Sequence, residues 1–170
     1  MVHVLESSQI IAASMERVWD FFSDPRNLSK ITPPELDFQI LSALPERIHA
    51  GLMIEYRVRP LLGIPVRWLT EITHVEPGKF FVDEQRIGPY RSWHHEHHFK
   101  ELDRARIEMT DCVAYVLPFG PLGELVHPFL VKPQLAKIFA FRERVVSELF
   151  RRRDNDARVR SEPPWRSEDL

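Results

Sequence analysis

The sequence predicts an α+β fold, a curved antiparallel sheet of about seven strands wrapped around one long C-terminal helix. Three observations predict it. Between residues 36 and 117, six runs alternate apolar and polar side chains at period two, separated by short turns bearing proline or glycine, as in an antiparallel meander. Over residues 134–150, Leu135, Ile138, Phe139, Val145, Val146 and Leu149 fall on one stripe at helical spacing. A chain of 170 residues with 44% hydrophobic content has the length of one domain, enough to bury about two-thirds of its unfolded surface.

The elements follow in order. Residues 2–12 read as a first, imperfectly alternating strand. Ser14 is placed to cap a helix over 15–23, where Met15, Val18, Trp19 and Phe22 share a face that Phe21 widens, and Asp24-Pro25 stops it. A second short helix starts with Pro25 and runs to about Ile31. Thr32-Pro33-Pro34 ends it, because proline disfavours helical backbone in the residue before it. The strands are then 36–42, 53–59, 66–75, 80–87, 91–102 and 106–117. Glu76-Pro77-Gly78 and Gly88-Pro89 suit tight turns, and 60–65 forms a longer, partly apolar loop. Residues 118–123 break the sheet, and Pro128 and Pro133 predict a kinked or two-piece helix from Pro121 onward. A single domain therefore spans 1–150, and the charged residues 151–170, with Pro163-Pro164 and few apolar side chains, read as a disordered tail.

Composition excludes several classes. The formal net charge is -2, from 23 basic and 25 acidic residues spread along the chain, so no electrostatic footprint for nucleic acid is present. The loose helix-turn-helix at 15–31 has no basic recognition surface. The one cysteine, Cys112, excludes an internal disulfide and gives no sign of an oxidising compartment, which makes the cytoplasm the expected location. No stretch approaches about eighteen uninterrupted apolar residues, and residues 1–8 lack the basic-then-apolar order of a secretion signal, so no membrane insertion is expected.

The chemistry concentrates in Gly88-Pro-Tyr-Arg-Ser-Trp-His-His-Glu-His-His-Phe99. On a strand, Trp93, His95, His97 and Phe99 share one face, while His94, Glu96, His98 and Lys100 share the other. The charged set belongs in water, so the first face points inward. Two inward imidazoles between large rings must find hydrogen-bond partners, bind a ligand or metal, or line a wet cavity.

Trp19-Asp-Phe-Phe-Ser-Asp-Pro-Arg-Asn-Leu28 with Ile31-Thr-Pro33, then Gly88-Pro-Tyr-Arg-Ser-Trp-His-His, then Thr110-Asp111 with Tyr115-Val-Leu-Pro-Phe-Gly-Pro-Leu-Gly123, occur in that order across residues 3–150. These motifs and the element order resemble the helix-grip fold of the SRPBCC (START-like) superfamily. Within it they are similar to a bacterial ligand-binding, polyketide cyclase/dehydrase-like branch. The resemblance implies an elongated cavity between the sheet and the long helix. It leaves function open, because proteins of this fold carry lipids, hormones and polyketides and only some catalyse.

Given such a cavity, alternation selects its candidate ligand-binding residues. They are Tyr56 and Trp68, Asp83 and Gln85, then Trp93, His95, His97 and Phe99, and finally Met109, Asp111 and Tyr115. Thr70 shares a face with Trp68, while Arg57, Arg59, Arg67 and Glu55 alternate outward. Three chemistries are compatible with the histidines. His95 and His97 with Asp83 or Asp111 have the composition of a metal site, which would make a hydrolase or oxygenase conceivable. A network in which each histidine donates to Asp111, Asp83 or Tyr115 would order a polar patch. A His–Asp pair would act as general base in cyclisation or dehydration, making His95, His97 and Asp111 the catalytic candidates. The network is the reference reading, and no metal or cofactor is assigned.

Three functions compete. One is a carrier or sensor of a hydrophobic or aromatic small molecule. The second is a cyclase- or dehydratase-type enzyme. The third is an interaction protein, monomer or weak homodimer, using apolar loops at 60–65 or 119–122.

Overall fold

A computed structural model describes residues 1–61 and 63–161, with side chains for all of these except 61 and 152–161. Seven strands, β1 (Val2–Ile11), β2 (Gln39–Ile40), β3 (Leu52–Leu61), β4 (Ile64–Glu76), β5 (Phe80–Ile87), β6 (Ser92–Asp103) and β7 (Arg106–Val116), form one sheet in the order β1-β7-β6-β5-β4-β3-β2. Every neighbouring pair is antiparallel. The meander is therefore as expected, with the first strand returning to pair with the last.

Helix α1 (Met15–Phe22) buries Val18, Phe21 and Phe22 on its apolar face. A 3-10 segment, Pro25–Ile31, follows, its first turn capped by the Asp24 carboxylate accepting from the Arg26 amide at 3.0 Å. The strand expected over 36–42 is reduced to Gln39–Ile40. The reason lies just before it: Pro34–Leu36 form a 3-10 turn, and Asp37 takes the left-handed conformation at φ 44°, so the backbone is still turning where pairing was expected. Register shifts between Leu69 and Thr70 and between Ile72 and His74 interrupt the β4–β5 pairing, and such irregularities bend a sheet.

The two-piece helix is present. Helix α2 (Pro121–Val126) leads through a π-helical turn, His127–Val131, into α3 (Lys132–Ser161). Pro128 and Pro133 stand within and just after that turn, where missing N–H groups disturb the regular ladder. Helix α3 continues past the expected end at Phe150 to Ser161. Residues 151–161 contain no proline or glycine, and arginine is a good helix former, so nothing local stops the helix. The remainder of the expected tail, 162–170, lies outside the described residues. Among the described residues no helix is long and apolar enough to cross a membrane.

Helix α3 buries Leu135, Phe139, Val146 and Phe150, the last with its ring 5.5 Å from that of Phe21 in α1. One apolar cluster gathers Val18, Phe21, Phe22, Phe81, Phe99, Met109 and Val146; a second gathers Val58, Trp68, Trp93, Val113, Leu135 and Phe139. A cavity adjoins both.

Candidate active or ligand-binding site

The inward face of β6 is buried as alternation requires, with Trp93, His95, His97 and Phe99 all under a tenth exposed. Register sets their neighbours: Asp83 of β5 stands opposite His95, and Asp111 of β7 stands opposite His97. The two imidazoles are thus held between two carboxylates. His95 Nε2 lies 3.0 Å from Asp111 Oδ1 and His97 Nε2 lies 2.9 Å from Asp83 Oδ2. The ring centroids are 3.8 Å apart. Arg142 of α3 completes the group, 3.9 Å from Asp111 Oδ1 and 5.1 Å from the centre of the Phe139 ring.

These neighbours divide the histidines. Burial, followed by the charge of His97, holds His95 below the ordinary histidine range. Burial acts the same way on His97, but Asp111 and Asp83 outweigh it and raise His97 above that range. Burial opposes ionisation of both aspartates, and the two histidines overcome it, keeping Asp111 and Asp83 below the usual carboxylate range.

The adjoining cavity has a volume of about 180 Å³ and is lined by Tyr56, Trp68, Asp83, Trp93, His95, His97, Phe139 and Arg142 among others. Its aromatic wall is a chain of touching rings. Phe38 lies 4.9 Å from Tyr56, Tyr56 5.9 Å from Trp68, Trp68 5.6 Å from Tyr90, and Tyr90 4.8 Å from Trp93. The Tyr56 hydroxyl pairs with Thr70 Oγ1 at 2.9 Å. Burial and the Asp83 charge keep that phenol protonated well above its ordinary range.

Five of the expected lining residues do not reach the cavity. Gln85 instead holds the β5–β6 turn, donating from Nε2 to the Tyr90 carbonyl at 2.6 Å and accepting from the Tyr90 amide at 3.3 Å. Phe99 packs against Trp19 and Phe22, and Met109 lies in the same cluster. Asp111 sits behind the histidines. Tyr115 turns its hydroxyl to His127 Nε2 at 2.8 Å. Alternation gave the buried face for Phe99, Met109, Asp111 and Tyr115, but depth along the strand decides which residues meet open space.

Arg142, Tyr90 and Phe38 were not anticipated. Arg142 had a signal: Leu135, Phe139, Arg142 and Val146 follow one another at spacings of four, three and four, placing a charge inside an apolar helical ladder. Tyr90 lies in a turn, where periodicity says nothing, and Phe38 lies in the expected strand 36–42 but in the structure precedes the short β2.

A model of the family described as "Polyketide cyclase / dehydrase and lipid transport" matches residues 11–157. The chain belongs to this family. Several solved structures share its architecture. The Zhui aromatase/cyclase from Streptomyces sp. R1128 superposes with a TM-score of 0.70 at 17% identity, over 90% of this chain and 96% of that one. A START superfamily protein from Mycobacterium smegmatis gives 0.65 at 12% identity, over 88% and 98%. A norcoclaurine synthase from Thalictrum flavum gives 0.62 at 15% identity, over 87% and 96%. At these identities the likeness is one of fold, and it confirms the START-like, helix-grip architecture of this polyketide cyclase/dehydrase family member. No curated protein sequence matches the chain.

Proposed function

We propose that this family member binds a small hydrophobic or aromatic molecule in its cavity, as a carrier or sensor, with the ligand's polar oxygen against the Arg142 side of the site. One observation carries the reading. Two lining residues, Trp68 and Arg142, each bury an N–H (Nε1 and Nε) with no acceptor among the described residues, beside an otherwise aromatic wall. Buried donors without acceptors are costly, and a ligand oxygen would satisfy them. The volume of about 180 Å³ is close to the roughly 150 Å³ of an apolar cavity that accepts benzene, which favours a ligand of one or two rings.

Native mass spectrometry of freshly purified, untagged protein, compared with the denatured sample, tests this reading. A stoichiometric organic adduct, released on denaturation, is the expected result. Folded protein that binds neither a cellular adduct nor any member of an aromatic ligand library by thermal shift would overturn it.

The His95–Asp111 pair supports a second reading, a cyclase- or dehydratase-type enzyme. A neutral imidazole oriented by a carboxylate and bordering the cavity has the geometry of a general base. Replacing both His95 and His97 without loss of a discovered activity would remove it.

A further inference from the structure

We propose that Asp83, His95 and His97 form a binding site for a divalent transition-metal ion that opens on the cavity, with Asp111 behind the histidines and hydrogen-bonded to His95. The three residues each bring one ligand atom within 4.8 Å of the others. Residue types alone leave a metal site, a hydrogen-bonded network and a general base open, and the arrangement of the ligand atoms favours the first.

The site has two sides. Behind, Asp111 Oδ1 lies 3.0 Å from His95 Nε2 and 2.7 Å from His97 Nδ1, the latter off the ring's N–H axis. In front, Asp83 Oδ2 lies 3.4 Å from His95 Nδ1 and 2.9 Å from His97 Nε2. His95, with its Nε2–H toward Asp111, presents the lone pair of Nδ1 toward Asp83. Loss of the proton that His97 Nε2 shares with Asp83 would leave three electron-pair donors facing one another, and a divalent cation between them takes that proton's place. Ligand atoms each about 2.1 Å from one ion stand roughly 3.0–3.4 Å apart, which the two front distances bracket. Two imidazoles and a carboxylate are the donor set of open, three-ligand sites, and a carboxylate behind the histidines is their usual support.

Access and charge are consistent with this. Asp83, His95 and His97 line the cavity and Asp111 does not, so the remaining coordination positions face the open space. With neutral imidazoles, the two carboxylates and Arg142 leave one net negative charge. A divalent ion converts this to one net positive charge, which would select an anionic oxygen donor such as a carboxylate, phenolate or enolate.

The outer face of the same strand carries a decoy. His94 contacts Glu84 and Glu96 at 3.0 Å each, and His98 contacts Glu96 at 2.7 Å. The test therefore uses the His94→Ala/His98→Ala protein, stripped with chelator and titrated with Co²⁺ alone, so no organic ligand is needed. Visible absorption and metal content after gel filtration are the readouts. One Co²⁺ per chain with visible ligand-field bands is expected, and Asp83→Asn in that background should weaken binding at least tenfold. Asp111→Asn should weaken it about 10- to 100-fold while leaving the stoichiometry at one. Failure of the His94→Ala/His98→Ala protein to bind Co²⁺ or Zn²⁺ would overturn the proposal. So would undiminished binding in a folded Asp83→Asn or His95→Gln variant. Asp83 is the most accessible of the three ligands, its side chain 16% exposed, so its variant decides the matter if His95→Gln does not fold.

Discussion

The Tyr115 hydroxyl and the His127 imidazole, 2.8 Å apart, tie the last strand of the sheet to the π-helical turn at the root of α3. His3 stacks on the same imidazole with ring centres 3.7 Å apart and reaches Glu124 Oε2 at 2.8 Å, so β1 joins the same tie. Burial, the neighbouring His3 charge and Lys132 together hold His127 below the ordinary histidine value of 6.5, despite Glu124. The unfolded chain therefore binds the extra proton more readily, and this residue's contribution is present above about pH 6.5 and lost as pH falls through its lower folded value. NMR titration should give His127 a midpoint below 6.5, and Tyr115→Phe should cost about 1 kcal/mol in urea unfolding at neutral pH. A midpoint above the ordinary value would contradict the tie.

Arg142→Met should separate ligands by charge. An unbranched apolar stem is kept, while the buried guanidinium beside Asp111 and Phe139 is removed. Affinity for aromatic carboxylates or phenolates should fall by about tenfold or more, against little change for neutral aromatics of equal size. Calorimetry on matched pairs of ligands would show it, and equal losses for both classes would exclude a polar role for Arg142.

Met109→Ala tests the corrected depth of the site. Met109 is 1% exposed yet does not line the cavity. The substitution should cost about 2–5 kcal/mol in denaturant unfolding and leave ligand affinity unchanged in the folded protein.

Phe139→Ala should do both. Its ring lies 5.8 Å from that of His95 and under the Arg142 guanidinium. Loss of about 3–5 kcal/mol of stability should accompany a shift of preference toward larger aromatic ligands, measured by thermal shift across a size series. An unchanged size preference would place the ligand elsewhere.

Gly88→Ala probes the turn that positions Tyr90. A Cβ at Gly88 would stand 2.3 Å from Gln85 Oε1, so the Gln85 side chain must release its two bonds to the Tyr90 backbone. A loss of about 1–3 kcal/mol is expected. Gln85→Ala should be nearly equivalent, and a double variant no worse than either single one.

Much of this architecture is legible in the sequence because period two and period 3.6 are imposed by burial, and burial leaves its mark residue by residue. The inward set of β6 and the helical stripe of α3 follow from that alone. What periodicity cannot supply is distance along an element. Phe99, Met109 and Tyr115 face the right way yet end in packed core or at the π turn, because the cavity is where side chains fail to meet, and that depends on three elements at once. The β4–β5 register shifts and the left-handed Asp37 are likewise invisible to alternation, since each is settled by backbone geometry.

Asp83, His95, His97 and Asp111 stand on adjacent strands β5, β6 and β7, and Arg142 on α3, whereas Phe38, Val58, Leu135 and Ile138 give the cavity only apolar wall, from the loop before β2, from β3 and from α3. These four apolar positions are distinct from the charged group. A library randomised at Phe38, Val58, Leu135 and Ile138 would sample new molecular outlines while leaving the charged groups of the cavity in place, which makes the domain a natural starting point for directed evolution of specificity.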